Sequence, residues 1–128
     1  LQFAFSSTPE DLFLPHNYPA NCVAYTGTHD NDTTLGWYET APEEEKDFCR
    51  RYLARSGDNI SWDLIREVWK SPAAFAISTL QDFLGLGTVA RMNYPGRPSG
   101  NWCWRYQASD LNKDLQTAIK ELNYLYSR

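Results

Sequence analysis

The sequence predicts an α/β fold with parallel strands, of the kind that closes into a (β/α)8 barrel. Short apolar runs alternate with helical patterns along the 128 residues, and this alternation is the order of a parallel sheet. The connections that follow the apolar runs are long and polar, whereas the connection from a helix into the next run, at Ser71-Pro72, is short. A barrel explains that asymmetry because the long loops after its strands build the active site.

Three apolar runs are the predicted strands. Residues 1–5 form the first, which we expect to be buried on both faces, and residues 22–25 and 75–80 form the second and third. Residues 6–21 contain three prolines, which exclude a regular element and predict a long, stiffened loop.

Two helices are predicted between the second and third strands. The first starts at Ala41-Pro42, with proline at its first position and three glutamates where the helix dipole favours acids, and Gly57 can end it. The second starts at Ser61, which can cap it, and Pro72 breaks it. Its predicted apolar face consists of Leu64, Ile65, Val68 and Trp69.

A third helix is predicted over residues 112–127. Apolar residues recur there at helical spacing, namely Leu115, Ala118, Ile119, Leu122 and Leu125. The sequence stops just after them, which we interpret as a natural C-terminus. It opens inside an apolar run without an initiator methionine, so we expect an N-terminal portion to be missing.

Composition excludes several classes of protein. The 12 basic residues against 16 acidic ones form no basic stripe, which argues against nucleic-acid binding. The mean hydropathy of −0.57 and the absence of a long apolar run exclude a membrane span. The three cysteines are widely spaced and form no C-x-x-C pair, so we predict three buried free thiols in a reducing compartment.

The candidate site follows the second predicted strand directly, in residues 26–34. His29, Asp30, Asn31 and Asp32 lie there, and polar side chains at the carboxyl end of a strand are typical of a barrel active site. In a second interpretation, Asp30 or Asp32 caps a short helix over residues 33–38. A third is a metal site, which would need further ligands, and His16 is the only other histidine.

The same region carries a resemblance to a known family. Residues 25–37 read YTGTHDNDTTLGW, and further blocks are FLPHNY at 13–18, LQD at 80–82, RMNYPG at 91–96 and GNWCWR at 100–105. Together they resemble the 4-α-glucanotransferases of glycoside hydrolase family 77, which include amylomaltase and the disproportionating enzyme. The resemblance runs from residue 1 to about residue 106 and is weakest over residues 6–10 and 40–70.

The resemblance implies that residues 1–128 are the C-terminal portion of a single catalytic (β/α)8 barrel, strands six to eight with their helices. Such enzymes cleave an α-1,4-glucosidic bond with retention and transfer the glycosyl unit to the 4-hydroxyl of a glucan or glucose. They use an Asp nucleophile, a Glu acid/base and a third carboxylate, which Asp30 matches, with His29 as its neighbour. The first two are absent, so the chain alone should be inactive. No metal or organic cofactor is implied.

Two further residues are substrate-binding candidates by the same resemblance. Phe3 matches a residue that lines the donor sugar site, although it could instead belong to the barrel core. Asn93 matches a sugar-contacting amide, although it could instead hold its loop. For Trp102 and Trp104, both sugar stacking and buried scaffolding are open, and we favour scaffolding.

The expected partners are maltooligosaccharides and the missing N-terminal part of the same chain, with neither nucleic acid nor a membrane. Three barrel strands alone would leave open edges, so self-association is also expected. The expected location is the cytoplasm, or a plastid in a plant. The competing functions are a hydrolase of the same clan and a non-catalytic carbohydrate-binding module suggested by the 15% aromatic content.

Overall fold

The computed structural model describes residues 1–128 and contains five α-helices, two strands and four short 3-10 helices. The strands are β1 (Val23–Tyr25) and β2 (Phe75–Ile77). The α-helices are α1 (Thr34–Thr40), α2 (Glu43–Leu53), α3 (Ile60–Lys70), α4 (Leu80–Phe83) and α5 (Lys113–Tyr126). The 3-10 helices cover Gln2–Ser6, Pro15–Asn17, Thr88–Ala90 and Ala108–Asp110.

The two strands pair in parallel and form a small sheet with one covered face. Ala24 lies opposite Ala76 in the register, and Ala24 is buried in the core. The flanking residues point to the other face and remain partly exposed, between 37% and 66%: Val23, Tyr25, Phe75 and Ile77. The predicted parallel α/β arrangement is therefore present, with an open apolar face.

Helix α3 lies at the centre of the core. Leu64, Ile65 and Val68 have no exposed surface, as the spacing of its apolar residues predicts. A second part of the core is aromatic, because the Phe5 ring lies 5.6 Å from Trp37 and 6.0 Å from Tyr52 between ring centroids. Burial of these side chains supplies the main stabilisation of the fold.

The predicted strand over residues 1–5 is wrong. The chain forms a 3-10 helix at Gln2–Ser6, in which Ala4 and Phe5 are buried and Phe3 points outward. The first residues bond to the end of β1 and to the residue after it, since the Leu1 amine donates to the Tyr25 carbonyl and the Gln2 amide to the Thr26 carbonyl. The burial of Leu1, Ala4 and Phe5 follows a helical rather than an alternating pattern.

Several predicted boundaries also differ from the structure. Pro42 is the residue before α2 rather than its first. Helix α2 ends at Leu53 rather than near Gly57, and Ala54, the residue after it, adopts a left-handed conformation. Ser61 does not cap α3, because the helix already begins at Ile60 and Ser61 is buried inside its first turn. Strand β2 stops at Ile77, and α4 begins at Leu80.

The predicted C-terminal helix is confirmed within one residue at each end. The Asn112 side chain caps α5 by accepting from the Leu115 amide at 2.9 Å. Leu115 and Leu122 are buried as expected, whereas Leu125 is 52% exposed. The helix is fastened to α3 through the Trp69 indole, which donates to Asn123 Oδ1 at 2.8 Å.

All three cysteines are free thiols, but only Cys49 is buried. Burial raises the pKa of the Cys49 thiol to about 12. Cys22 is half-buried and Cys103 is exposed, so the prediction of three buried thiols is wrong for these two. No helix of the structure has the length and apolar character that crossing a membrane requires.

Candidate active site

The loop after β1 is folded on itself by its own polar side chains. Asn31 Oδ1 accepts hydrogen bonds from the Thr28 amide at 2.8 Å and from the Thr28 hydroxyl at 3.0 Å. The Asn31 amide donates back to the Thr28 carbonyl at 3.1 Å. This turn leaves the side chains of His29 and Asp30 more than half exposed, at 56% and 52%.

Asp82 holds both ends of this loop. Its carboxylate is 1% exposed and accepts from the Thr26 hydroxyl at 2.6 Å and from the Thr34 amide at 2.8 Å. Asp82 lies in α4, just after β2, so it joins the segments that follow the two paired strands. The carboxyl ends of parallel strands meet at one edge of a sheet, which is why residues so distant in sequence converge here.

Asp32 stabilises the second half of the loop and does not cap α1. Its Oδ1 accepts from the Thr33 amide at 2.8 Å and its Oδ2 from the Thr88 hydroxyl at 2.9 Å. The cap of α1 is Thr33, whose hydroxyl accepts from the Gly36 amide at 3.1 Å. A methyl group at Gly36 would collide with the Thr88 hydroxyl and the Asp32 carboxylate, so a side chain there would displace both of them.

Asp30 is held by the loop that follows the 3-10 helix Thr88–Ala90. Its Oδ1 accepts from Asn93 Nδ2 at 2.6 Å and lies 3.3 Å from His29 Nε2. The Arg91 guanidinium donates to the main-chain carbonyls of Asp30, at 2.7 Å, and Asn93, at 2.8 Å. The structure thus brings together three of the four predicted site residues and adds Arg91, to which the sequence analysis gives no catalytic role.

Two cavities lie on either side of this cluster. A cleft of about 430 Å³ is lined by both Phe3 and Asp30, and a smaller cavity of about 150 Å³ is lined by both His29 and Trp102. Asn31, Asp32 and Arg91 line both of them. Phe3 is 62% exposed in this chain, so the structure places it at the cleft rather than in the core.

Trp102 is not buried scaffolding. Its side chain is 52% exposed and its ring centroid lies 5.1 Å from that of His29. Its backbone is in the left-handed region at φ 62°, which costs a residue other than glycine about 1–2 kcal/mol. The sequence does not predict that conformation, because Trp102 is neither glycine nor asparagine, the residues that most often adopt it. Trp104, by contrast, is half-buried.

The structure gives no support to a metal site. It contains no group of three or more His, Cys, Asp or Glu side chains that could hold an ion. His16 is occupied elsewhere, with Nε2 3.0 Å from the Pro9 carbonyl and Nδ1 3.0 Å from the Tyr52 hydroxyl. Within residues 1–128, no cluster therefore supports the metal interpretation of the His29–Asp32 segment.

What the arrangement offers chemically is one oriented carboxylate. Asp30 Oδ1 is engaged by Asn93 and His29, whereas Oδ2 receives no hydrogen bond from the chain. Asp32 and Asp82 are nearby, but both oxygens of each already accept bonds from neighbouring threonines. Asp30 is thus the carboxylate of this cluster that keeps an oxygen for a ligand.

Comparison with known proteins decides the family. A model of the 4-alpha-glucanotransferase family matches residues 1–112. The chain belongs to the 4-α-glucanotransferase family.

Relatives in this family are similar along all or nearly all of the chain. The 4-α-glucanotransferase of Thermus thermophilus is 54% identical over 130 residues, covering 95% of this chain and 26% of that protein. The chloroplastic/amyloplastic 4-α-glucanotransferase of Arabidopsis thaliana is 46% identical, covering 100% of this chain and 23% of that protein. The chain thus spans about a quarter of the length of these relatives.

A solved structure of the same family has the same fold. The amylomaltase from Streptococcus agalactiae in complex with acarbose superposes with a TM-score of 0.94 at 33% sequence identity. The match covers 99% of this chain and 26% of the amylomaltase chain. The arrangement of strands and helices described above is therefore that of the corresponding part of amylomaltase.

Proposed function

We propose that this chain is part of a retaining 4-α-glucanotransferase that transfers a segment of an α-1,4-glucan to the 4-hydroxyl of another glucan or of glucose. The observation that carries the proposal is Asp30, a carboxylate held in place through one oxygen and open at the other. It lies at the carboxyl edge of a parallel sheet in a chain of this family.

Asp30 stabilises the transition state in this proposal. Cleavage of a glucosidic bond passes through a species resembling an oxocarbenium ion, and hydrogen bonds to the sugar hydroxyls strengthen as it forms. The free Oδ2 accepts such a bond, while the bond from Asn93 to Oδ1 fixes the carboxylate orientation in advance. His29, 3.3 Å from Oδ1, helps to orient the same group.

The substrate lies in the cleft that Phe3 and Asp30 line. Its volume of about 430 Å³ and its exposed aromatic wall suit a pyranose ring. Asn93 contributes indirectly, because its amide nitrogen already donates to Asp30. The acarbose bound to the Streptococcus agalactiae amylomaltase supports a glucan-like ligand for this family.

The chain supplies only part of the reaction. Besides Asp30, a retaining mechanism needs two further carboxyl groups, a nucleophile and an acid/base, and Asp32 and Asp82 are engaged in the structure of the loop. We propose that those groups come from the rest of a (β/α)8 barrel, in which β1 and β2 are the seventh and eighth strands. The open apolar face of the sheet then faces the barrel interior. Residues 1–128 alone should be inactive.

The reaction is tested by incubating the full-length protein with maltotriose. A transferase produces glucose together with a ladder of longer maltooligosaccharides, whereas a hydrolase of the same clan produces only shorter products. A carbohydrate-binding module without catalytic activity leaves maltotriose unchanged. The proposed location is the cytoplasm, or a plastid in a plant, as supported by the chloroplastic/amyloplastic relative.

The role of Asp30 is tested by Asp30→Asn in the same protein. An amide keeps the shape of the side chain but removes the charge, so we expect kcat to fall far more than tenfold while KM changes less. Asp58→Asn is the control, because Asp58 is an exposed carboxylate distant from the site in sequence. A kcat within about tenfold of the unsubstituted enzyme contradicts the proposed role.

A further inference from the structure

Resting on the proposed function, we infer that the cavity between His29 and Trp102 is a second sugar site, which binds one glucosyl unit of the glucan with Trp102 as its stacking platform. It is separate from the cleft that Phe3 and Asp30 line. The inference starts from an exposed tryptophan in an unfavourable backbone conformation and from the polar groups that face it.

The conformation of Trp102 is maintained by several contacts at once. Its amide donates to the Met92 carbonyl at 2.7 Å, and its carbonyl accepts from Arg105 Nη1 at 2.9 Å. Asn101, the preceding residue, accepts from the Tyr94 amide at 2.9 Å and donates to the Arg97 carbonyl at 3.0 Å. Unfavourable backbone conformations that are fixed by their surroundings concentrate at ligand-binding sites.

The result of this arrangement is an indole held outside the core. Trp102 is 52% exposed, and its only close aromatic neighbour is His29, at 5.1 Å between ring centroids and an angle of 40°. An indole face held in this way is available for stacking on a flat apolar partner. The apolar face of a pyranose ring is such a partner.

Apart from Met92, the other residues that line the cavity are polar or charged, and they come from several segments. Thr28 lies in the loop after β1, Thr79 and Gln81 lie at the end of β2 and in α4, and Arg91 lies in the loop that leads to Trp102. Gln81 is buried, and its Nε2 donates to the Ala90 carbonyl at 3.2 Å, which fixes the orientation of its amide. A flat apolar surface opposite fixed polar groups is what a sugar with equatorial hydroxyls requires.

The position of the cavity indicates how a glucan occupies it. Asn31, Asp32 and Arg91 line both this cavity and the Phe3–Asp30 cleft, so the two are adjacent. A glucan chain that places one unit beside Asp30 therefore reaches Trp102 with a unit farther along. Long substrates use both cavities and short ones need only the cleft.

The test compares Trp102→Ala and Trp102→Phe in the full-length enzyme, with maltoheptaose as the substrate. Loss of the platform should raise KM roughly tenfold and leave kcat within about threefold, because Asp30 is untouched. Phenylalanine keeps an aromatic face and should restore most of the affinity. Trp104→Ala is the matched control, since Trp104 is half-buried and does not line the cavity.

The outcomes separate this inference from the proposed function. If the unsubstituted enzyme transfers no glucan, the proposed function fails and the inference fails with it. If it does, and Trp102→Ala leaves KM unchanged while lowering Tm, Trp102 packs against another part of the longer protein and only the sugar site is overturned. An equal effect of Trp102→Ala and Trp104→Ala on KM also overturns it.

Discussion

Arg91 is a single residue that fixes the positions of two candidate site residues, Asp30 and Asn93, relative to each other. Its guanidinium group reaches the carbonyls of Asp30 and Asn93, the two residues whose side chains meet at 2.6 Å. A planar group with several fixed donors can hold two acceptors in a defined relation, which a lysine ammonium does less well. Arg91 thereby helps to orient the Asp30 carboxylate, although it bonds to the main-chain carbonyl of Asp30 and not to the carboxylate itself.

We expect Arg91→Met to lower kcat of the full-length enzyme by about ten- to a hundredfold, since a displacement of about 1 Å at a reacting group has effects of that size. The side chain of Arg97 provides a matched control. Both guanidinium groups lie over the Tyr94 ring, at 4.5 Å for Arg91 and 4.1 Å for Arg97, but only Arg91 bonds to Asp30. Arg97→Met should therefore keep kcat, and steady-state kinetics that show equal losses for both variants contradict the positioning role.

Asp82 positions secondary-structure elements relative to one another, because it joins the end of β1, the start of α1 and α4. Its two oxygens accept from Thr26, directly after β1, and from Thr34, the first residue of α1. Buried donors left without an acceptor cost about 1–3 kcal/mol each. The site loop therefore depends on one buried carboxylate for both of its ends.

Asp82→Ala should destabilise the protein by about 3 kcal/mol in denaturant-induced unfolding, because two buried donors lose their acceptor. Asp58→Ala is the comparison, since Asp58 also accepts a hydroxyl bond, from Ser56 at 2.7 Å, but in an exposed position. Its effect should stay within about 0.5 kcal/mol. Equal losses of stability in the two variants would mean that burial of Asp82 is not what matters.

The elements differ in how far the sequence predicts them. Helices α3 and α5 are long enough for a helical period to show, so their extents and most of their buried residues follow from the sequence. The five apolar residues at the start do not distinguish a strand from a helical turn, and the predicted strand there is wrong. Helix ends shift because a cap depends on backbone conformation, as at Ala54.

The candidate site was predictable only in part, because local sequence indicates some of its residues but not the contacts between distant ones. His29 and Asp30 follow an apolar run within one short segment, so local sequence indicates them. The contacts that orient Asp30 come from Asn93 and Arg91, which are 63 and 61 residues away. Spacing alone cannot give such pairings, and the family resemblance, whose block at 91–96 contains both residues, implied a site role for Asn93 but none for Arg91.

The open face of the sheet sets the behaviour of the whole molecule. Four apolar side chains of β1 and β2 stay exposed on one side: Val23, Tyr25, Phe75 and Ile77. Two strands with a bare apolar face and unpaired edges favour association with other chains. In a longer protein the same surface is available to further strands.

We expect the isolated 128-residue chain to self-associate, with an apparent mass by light scattering that rises with protein concentration. Phe75→Lys should weaken this association, because it places a charge on the open face. Val89→Lys is the control, since Val89 is 97% exposed but lies in a separate 3-10 helix. A monomeric, well-ordered chain at all concentrations contradicts the expectation.

The link between Thr34 and Asp82 has a consequence for biosynthesis. The two residues are 48 positions apart, so at about 5–20 residues per second the ribosome adds Asp82 roughly 2–10 seconds after Thr34. Throughout that interval the nascent segment with His29 and Asp30 lacks the carboxylate that holds both of its ends. The segment therefore reaches its folded conformation late in translation, only after β2 and α4 have left the ribosome and packed against it.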